Sequence, residues 1–160
     1  RDYSQIDGSV SFFARYFLDK GAKTKIWYLQ LVDLSKPLVK IKSGFAKSCR
    51  NSINSAQKNF TTQVITKDNG DAIRRLSELH FVAAGKETRD SSTLMHFLDM
   101  IQNNKAFIVE AWKSNLCVAS ALFVHDSNAC LYSVSAANRD LFGTPVNHGI
   151  IWEAMRYSQS

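Results

Sequence analysis

The residue types in this 160-residue chain that could move a proton or hold an anion are few and scattered. His80 lies seven residues after Ile73 and four after Leu76, so helical spacing puts its imidazole on the buried face of a helix, where a polar ring needs a partner. His148 falls in the first turn of another predicted helix. There the positive dipole end favours neutral imidazole over imidazolium, leaving a lone pair able to accept a proton. Tyr132, near the middle of a predicted strand, offers a hydroxyl donor. The free N–H groups of Val146 and Asn147, with Gly143 allowing close approach, Thr144 beside them and Arg139 adding charge, form a pattern that could hold phosphate. Each has a plainer reading: a satisfied core histidine, an ordinary capped helix, a packing tyrosine.

Other chemistries lack their residues. His96 and His125 have no companion at metal-ligand spacing, so no metal site is expected, and neither a G-x-S-x-G nor a P-loop occurs. Cys49, Cys117 and Cys130 are an odd number without a C-x-x-C, which fits reduced thiols in a cytoplasmic protein. No apolar run approaches the roughly 18 residues of a membrane span, and no cleavable signal pattern opens the chain.

The elements that must position these residues follow from periodicity. Phe12, Phe13, Tyr16 and Phe17 predict a helix over 9–19 with Gly21 as its stop, and Lys25–Val32 predicts a strand. From Ser43 a helix presents Phe45, Cys49, Ile53, Ala56 and Phe60 on one side and Lys47, Arg50, Asn54 and Lys58 on another. A strand at Thr62–Thr66 is followed by turn and capping chemistry at Asp68-Asn69-Gly70. Ile73, Leu76, Leu79 and Ala83 then make a core stripe ending at Gly85. Ser91 or Ser92 is expected to cap the next helix, with Leu94, Phe97, Leu98 and Ile101 on its inner face. Ala106–Trp112, Leu116–His125 and Ala129–Ser135 read as an antiparallel meander, because their links are too short for crossovers. The last helix is expected to use Thr144 as N-cap and Pro145 as first residue, with Ile150, Ile151, Ala154 and Met155 facing inward.

The formal charge of +6 is uneven: residues 1–60 hold 11 of the 20 Lys/Arg and 4 of the 14 Asp/Glu. A field of that kind points to an anionic partner such as a nucleic acid, a phosphorylated cofactor or an acidic headgroup. With 45% hydrophobic and 21% charged residues the chain has the composition of a globular domain.

The order strand, helix, helix, three antiparallel strands, helix resembles the core of the GNAT acyltransferase fold. Residues 40–160 resemble its Fem-type branch through KSCRNSINSAQK, through LSELHFVAAGKETR running into SSTLMHFLDMI, and through LYSVSAANRDLFGTPVNHGIIWEAM. The resemblance implies an α/β (α+β) fold with a mostly antiparallel central sheet flanked by helices. Residues 1–60 would be the tail of a first GNAT-like half plus a basic connecting helix, and 61–160 a second half. The chain opens on Arg1 and stops within its last helix, so it reads as a fragment. In place of the family's pyrophosphate loop it offers Arg139-Asp140-Leu141-Phe142-Gly143.

The implied activity is transfer of an activated acyl or aminoacyl group to an amine, such as a cell-envelope precursor, amino sugar or peptide, in the bacterial cytoplasm. The donor would be acyl-coenzyme A or aminoacyl-tRNA, the latter suiting the basic first third. His80, Tyr132 and His148 become the catalytic candidates. Arg139, Gly143, Thr144, Val146 and Asn147 become the donor site, and Arg50, on the basic helix, a substrate-binding residue. Lys86 and Arg89, on a loop bordering the acceptor side of such folds, become substrate ligands, Arg89 clamping a carboxylate or phosphate. The alternative is a non-catalytic module on the same scaffold, holding an anionic partner on the basic helix.

Overall fold

The computed structural model describes residues 12–23 and 30–159. Two compact units result, Arg1–Val32 and Asp33–Ser160. In the first, helix α1 (Phe12–Asp19) ends where Gly21 takes φ +85° and the Ala22 N–H reaches back to the Phe17 carbonyl, so glycine is the expected stop. Of the expected strand Lys25–Val32, residues 25–29 lie outside the described residues and Gln30–Val32 belong to no strand.

The second unit is built on a four-stranded antiparallel sheet in the order β1-β2-β3-β4, with β1 Thr61–Ile65, β2 Ala106–Lys113, β3 Leu116–His125 and β4 Cys130–Ala137. The α+β class is as expected. The β2–β3 turn puts Ser114 and Asn115 at φ +49° and +65°, a mirror-image turn whose twist suits a two-residue hairpin. At the β3–β4 turn the Asp126 carboxylate accepts from the Asn128 and Ala129 N–H groups. The alternation of side chains separates two cores. Phe107, Val109 and Ala111 of β2 pack with α3 (Lys47–Asn59) and α6 (Val146–Tyr157), and Ala106 and Ile108 pack with α4 (Asp71–Ala84) and α5 (Ser91–Gln102).

Several local expectations are corrected. The helix read from Ser43 is preceded by a separate one, α2 (Leu38–Gly44), because Phe45 turns extended at φ −73°, ψ 152°. Arg50 stabilises that break by donating to the Ser43 carbonyl at 3.2 Å and to the Phe45 carbonyl. Asp90, not Ser91 or Ser92, caps α5, its carboxylate accepting from the Thr93 N–H at 2.8 Å. A carboxylate there also complements the helix dipole. Thr144 does not cap α6: its hydroxyl donates to the Leu141 carbonyl at 2.7 Å, Pro145 holds the cap position, and the helix starts at Val146. On α6, Trp152 is buried where Ile151 was expected, because α2 and α3 add a second covered side, where Trp152 meets Ile41 and Ile53.

The turn Asp68-Asn69-Gly70 performs as expected. Both Asp68 oxygens accept, at 3.1 Å each, from the N–H groups of Ala72 and Ile73 at the start of α4. Gly85 closes the same helix at φ +72°.

Candidate functional site

A groove of about 640 Å³ opens between α4 and α5. Its walls are mostly apolar, from Leu76 and Phe81 on α4, Leu94, Met95 and Leu98 on α5, and Val134 of β4. His80 lines this groove and is half-buried; it does not sit in the core as expected, because the groove between α4 and α5 leaves one side of the ring uncovered. Arg89 Nη1 donates to His80 Nε2 at 3.4 Å and to Thr88 Oγ1 at 3.3 Å. Accepting from a guanidinium requires a lone pair on Nε2 and so places the imidazole proton on Nδ1. Burial and then the Arg89 charge hold the His80 pKa below its ordinary 6.5, and the ring is neutral at pH 7. Lys86 is exposed and does not line the groove.

A second, shallower hollow of about 320 Å³ lies at the start of α6. Asn51, Ser52 and Ser55 of α3 face Gly143, Thr144, Pro145 and His148 across it. Gly143 has φ +84°, a conformation glycine adopts at no steric cost. No side chain caps α6, and Asn147 and His148 are exposed in its first turn.

Two nominated arginines are engaged elsewhere. Arg50 holds the α2–α3 corner. Arg139 Nε donates to the Ala83 carbonyl at 2.8 Å, joined by Nη2, and so pins the segment leading into α6 onto the last turn of α4. Tyr132 packs at a tilt against Phe123, ring centres 5.4 Å apart, and its hydroxyl donates to Ser135 Oγ at 2.5 Å. It lies five residues along β4 from Ala137, about 17 Å from the end where α6 begins. The nominated residues thus fall at the groove, at the hollow before α6, at the α2–α3 corner and on β4, with Lys86 exposed beside the groove, and Arg139 links the segment before α6 to α4.

A buried ion pair went unnoticed in the sequence. Glu110, fully buried in β2, accepts from Arg75 of α4 in a two-pronged arrangement, Nε to Oε1 at 2.8 Å and Nη2 to Oε2 at 3.1 Å. Arg75 also lies over the Trp112 ring, 5.4 Å from its centre. Burial, and secondarily the Glu110 charge, push the nearby Cys117 thiol up to about 12, so it is not a nucleophile. The available signal was a lone glutamate inside the apolar run Ala106–Trp112.

No family model and no curated protein matches the sequence. Among solved structures, the crystal structure of FemX is similar, with a TM-score of 0.60 at 11% identity over 79% of this chain. The chain spans about half of FemX, 48% of its length. Among the described residues no helix is long and apolar enough to cross a membrane. The fold shared with FemX is the α+β arrangement of an antiparallel sheet flanked by helices, and the chain is Fem-like in fold.

Proposed function

We propose that this chain belongs to an N-acyl- or aminoacyltransferase that passes an activated acyl group to an amine acceptor, with residues 61–160 as the second of two GNAT-like halves and residues 1–60 as the end of the first. The observation that carries the reading is the Arg139–Ala83 link, which ties the turn preceding the uncapped α6 to the last turn of α4, next to the Lys86–Arg89 loop. In this reading the donor-holding helix terminus and the acceptor groove are joined through the segment that follows β4.

In this reading the N–H groups of Val146 and Asn147 hold the donor's phosphate, with Gly143 and Thr144 at the hollow's edge and Arg139 positioning the segment. The acceptor lies along the groove with Arg89 on its carboxylate. His148 takes one proton from the acceptor ammonium, and the free amine attacks the donor carbonyl; the C–N bond forms, the C–S bond of a thioester or the C–O bond of an aminoacyl ester breaks, and the leaving thiol or hydroxyl departs with a second proton from the nitrogen. His80 keeps Arg89 in place, and Tyr132 has no part. Acyl-coenzyme A and aminoacyl-tRNA are both cytoplasmic donors, so the reading carries a cytoplasmic location; the lysines of α3 favour tRNA.

The test is calorimetric titration of the full-length protein with acetyl-coenzyme A and with aminoacyl-tRNA. Saturable binding of either is expected, weakened on the order of tenfold by Asn147→Asp, which adds a charge that suits the helix dipole but repels phosphate. The scaffold-module reading is favoured by one observation, that Arg50 and Arg139 serve backbone carbonyls. It predicts no saturable donor binding and a steeply salt-dependent response to polyanions.

A further inference from the structure

Arg89 differs from the other arginines of α4 and its loop. Arg74 pairs with Asp71 and Glu78, and Arg75 pairs with Glu110, whereas Arg89, half-buried, has no carboxylate partner among the described residues. Glu87, two residues away and also on the groove, makes no ion pair with it. Both Arg89 contacts use Nη1, which leaves Nε and Nη2 as a two-pronged edge of the kind that matches a carboxylate. Glu78 and Glu87 at the rim disfavour a dianion in the same place.

The remainder of the groove is apolar and open. Phe81 and Met95, from facing helices, are 56% and 66% exposed, large apolar side chains left uncovered on opposite walls. The groove's volume lies within the range of small-molecule sites, which combine apolar walls with a few convergent polar groups.

We propose that this groove binds a small amphipathic carboxylate, its head on the Nε–Nη2 edge of Arg89 and its apolar tail between Phe81 and Met95. The proposal deepens the acceptor assignment and rests on it for the ligand's role, but binding needs no donor and is measured without one. It also couples to pH. The charged groups around His80 are Arg74 and Glu78 on α4 and Glu87 and Arg89 on the loop; no groove residue from α5 or β4 titrates. A carboxylate neutralising Arg89 relieves the repulsion that disfavours imidazolium, so bound ligand raises the affinity of His80 for a proton. Binding then tightens as pH falls through the imidazole range, where a carboxylate, with a pKa of about 4–5, is still ionised.

Octanoate, octylamine and acetate are the probes, titrated calorimetrically into the full-length protein at pH 6 and pH 8. Octanoate is expected to saturate, with acetate and octylamine at least about tenfold weaker. Arg89→Gln should lose about tenfold or more for octanoate, since a hydrogen bond to a charged group is removed. Met95→Glu, on an exposed side chain that the fold does not need, should weaken octanoate while leaving thermal stability unchanged. Tighter octanoate binding at pH 6 than at pH 8 should vanish in His80→Asn. Equal binding of octylamine or acetate, or unchanged octanoate affinity in Arg89→Gln, would overturn the proposal. Those outcomes leave donor binding at α6, and hence the transferase reading, separately measurable.

Discussion

The two faces of the sheet are built differently. The α3–α6 face is closely packed and apolar behind the hollow at the start of α6: α6 approaches α3 so nearly that a Cβ placed on Gly149 would stand 2.9 Å from the Ala56 Cβ. The α4–α5 face has an ion pair at its centre and a groove beside it. One face holds the fold together by close packing, whereas the other gives up packing and keeps charged and polar groups in position. The open groove lies on the α4–α5 side, whereas on the other side open space is confined to the shallow hollow at the start of α6.

The largest effect expected from breaking this contrast is on the polar face. Arg75→Ala leaves Glu110 buried without its partner and should cost about 3–5 kcal/mol in urea unfolding. Replacing both, as Arg75→Met with Glu110→Leu, should recover most of that loss. If Arg75→Ala unfolds at the wild-type midpoint, the ion pair is not structural.

The closed face should yield a smaller effect. Gly149→Ala gains helix propensity of about 1 kcal/mol but forces α3 and α6 apart, for a net loss of about 1–2 kcal/mol. An Ala56→Gly background removes the contact, so in it the same change should cost nothing. A penalty of the same size in both backgrounds would mean that the helices do not meet at this point.

The smallest effect is the pH response of His80. Its folded pKa is depressed, so the unfolded chain binds the proton more readily, and the contribution to stability is complete above pH 6.5 and lost as pH falls through the folded value. His80→Asn should flatten this acid-side slope between pH 7 and pH 5. An identical slope in the variant would place the titrating group elsewhere.

Much of the fold was legible because it is local. The stripe Ile73, Leu76, Leu79 and the hairpin links Lys113-Ser114-Asn115 and Asp126-Ser127-Asn128 state their own structures in neighbouring residues. What was missed depends on distant partners. The spacing of His80 predicts a buried ring, but whether the ring is covered depends on α5, across the groove. Thr144 lost its cap to the Leu141 carbonyl, and Arg139 turned to Ala83, 56 residues earlier. Arg75 and Glu110 are 35 residues apart, and nothing in either neighbourhood announces the other. The site's residue types were visible, but their grouping was not.

The most direct test of the account is to map amide chemical shifts in the full-length protein titrated with acetyl-coenzyme A and with a hydrolysis-resistant aminoacyl-adenosine phosphate. The account predicts that one of them moves Gly143, Val146 and Asn147 together, with smaller shifts at Arg89 across the Arg139 link. Saturating shifts confined to the outer lysines of α3, or none at the start of α6, would contradict it.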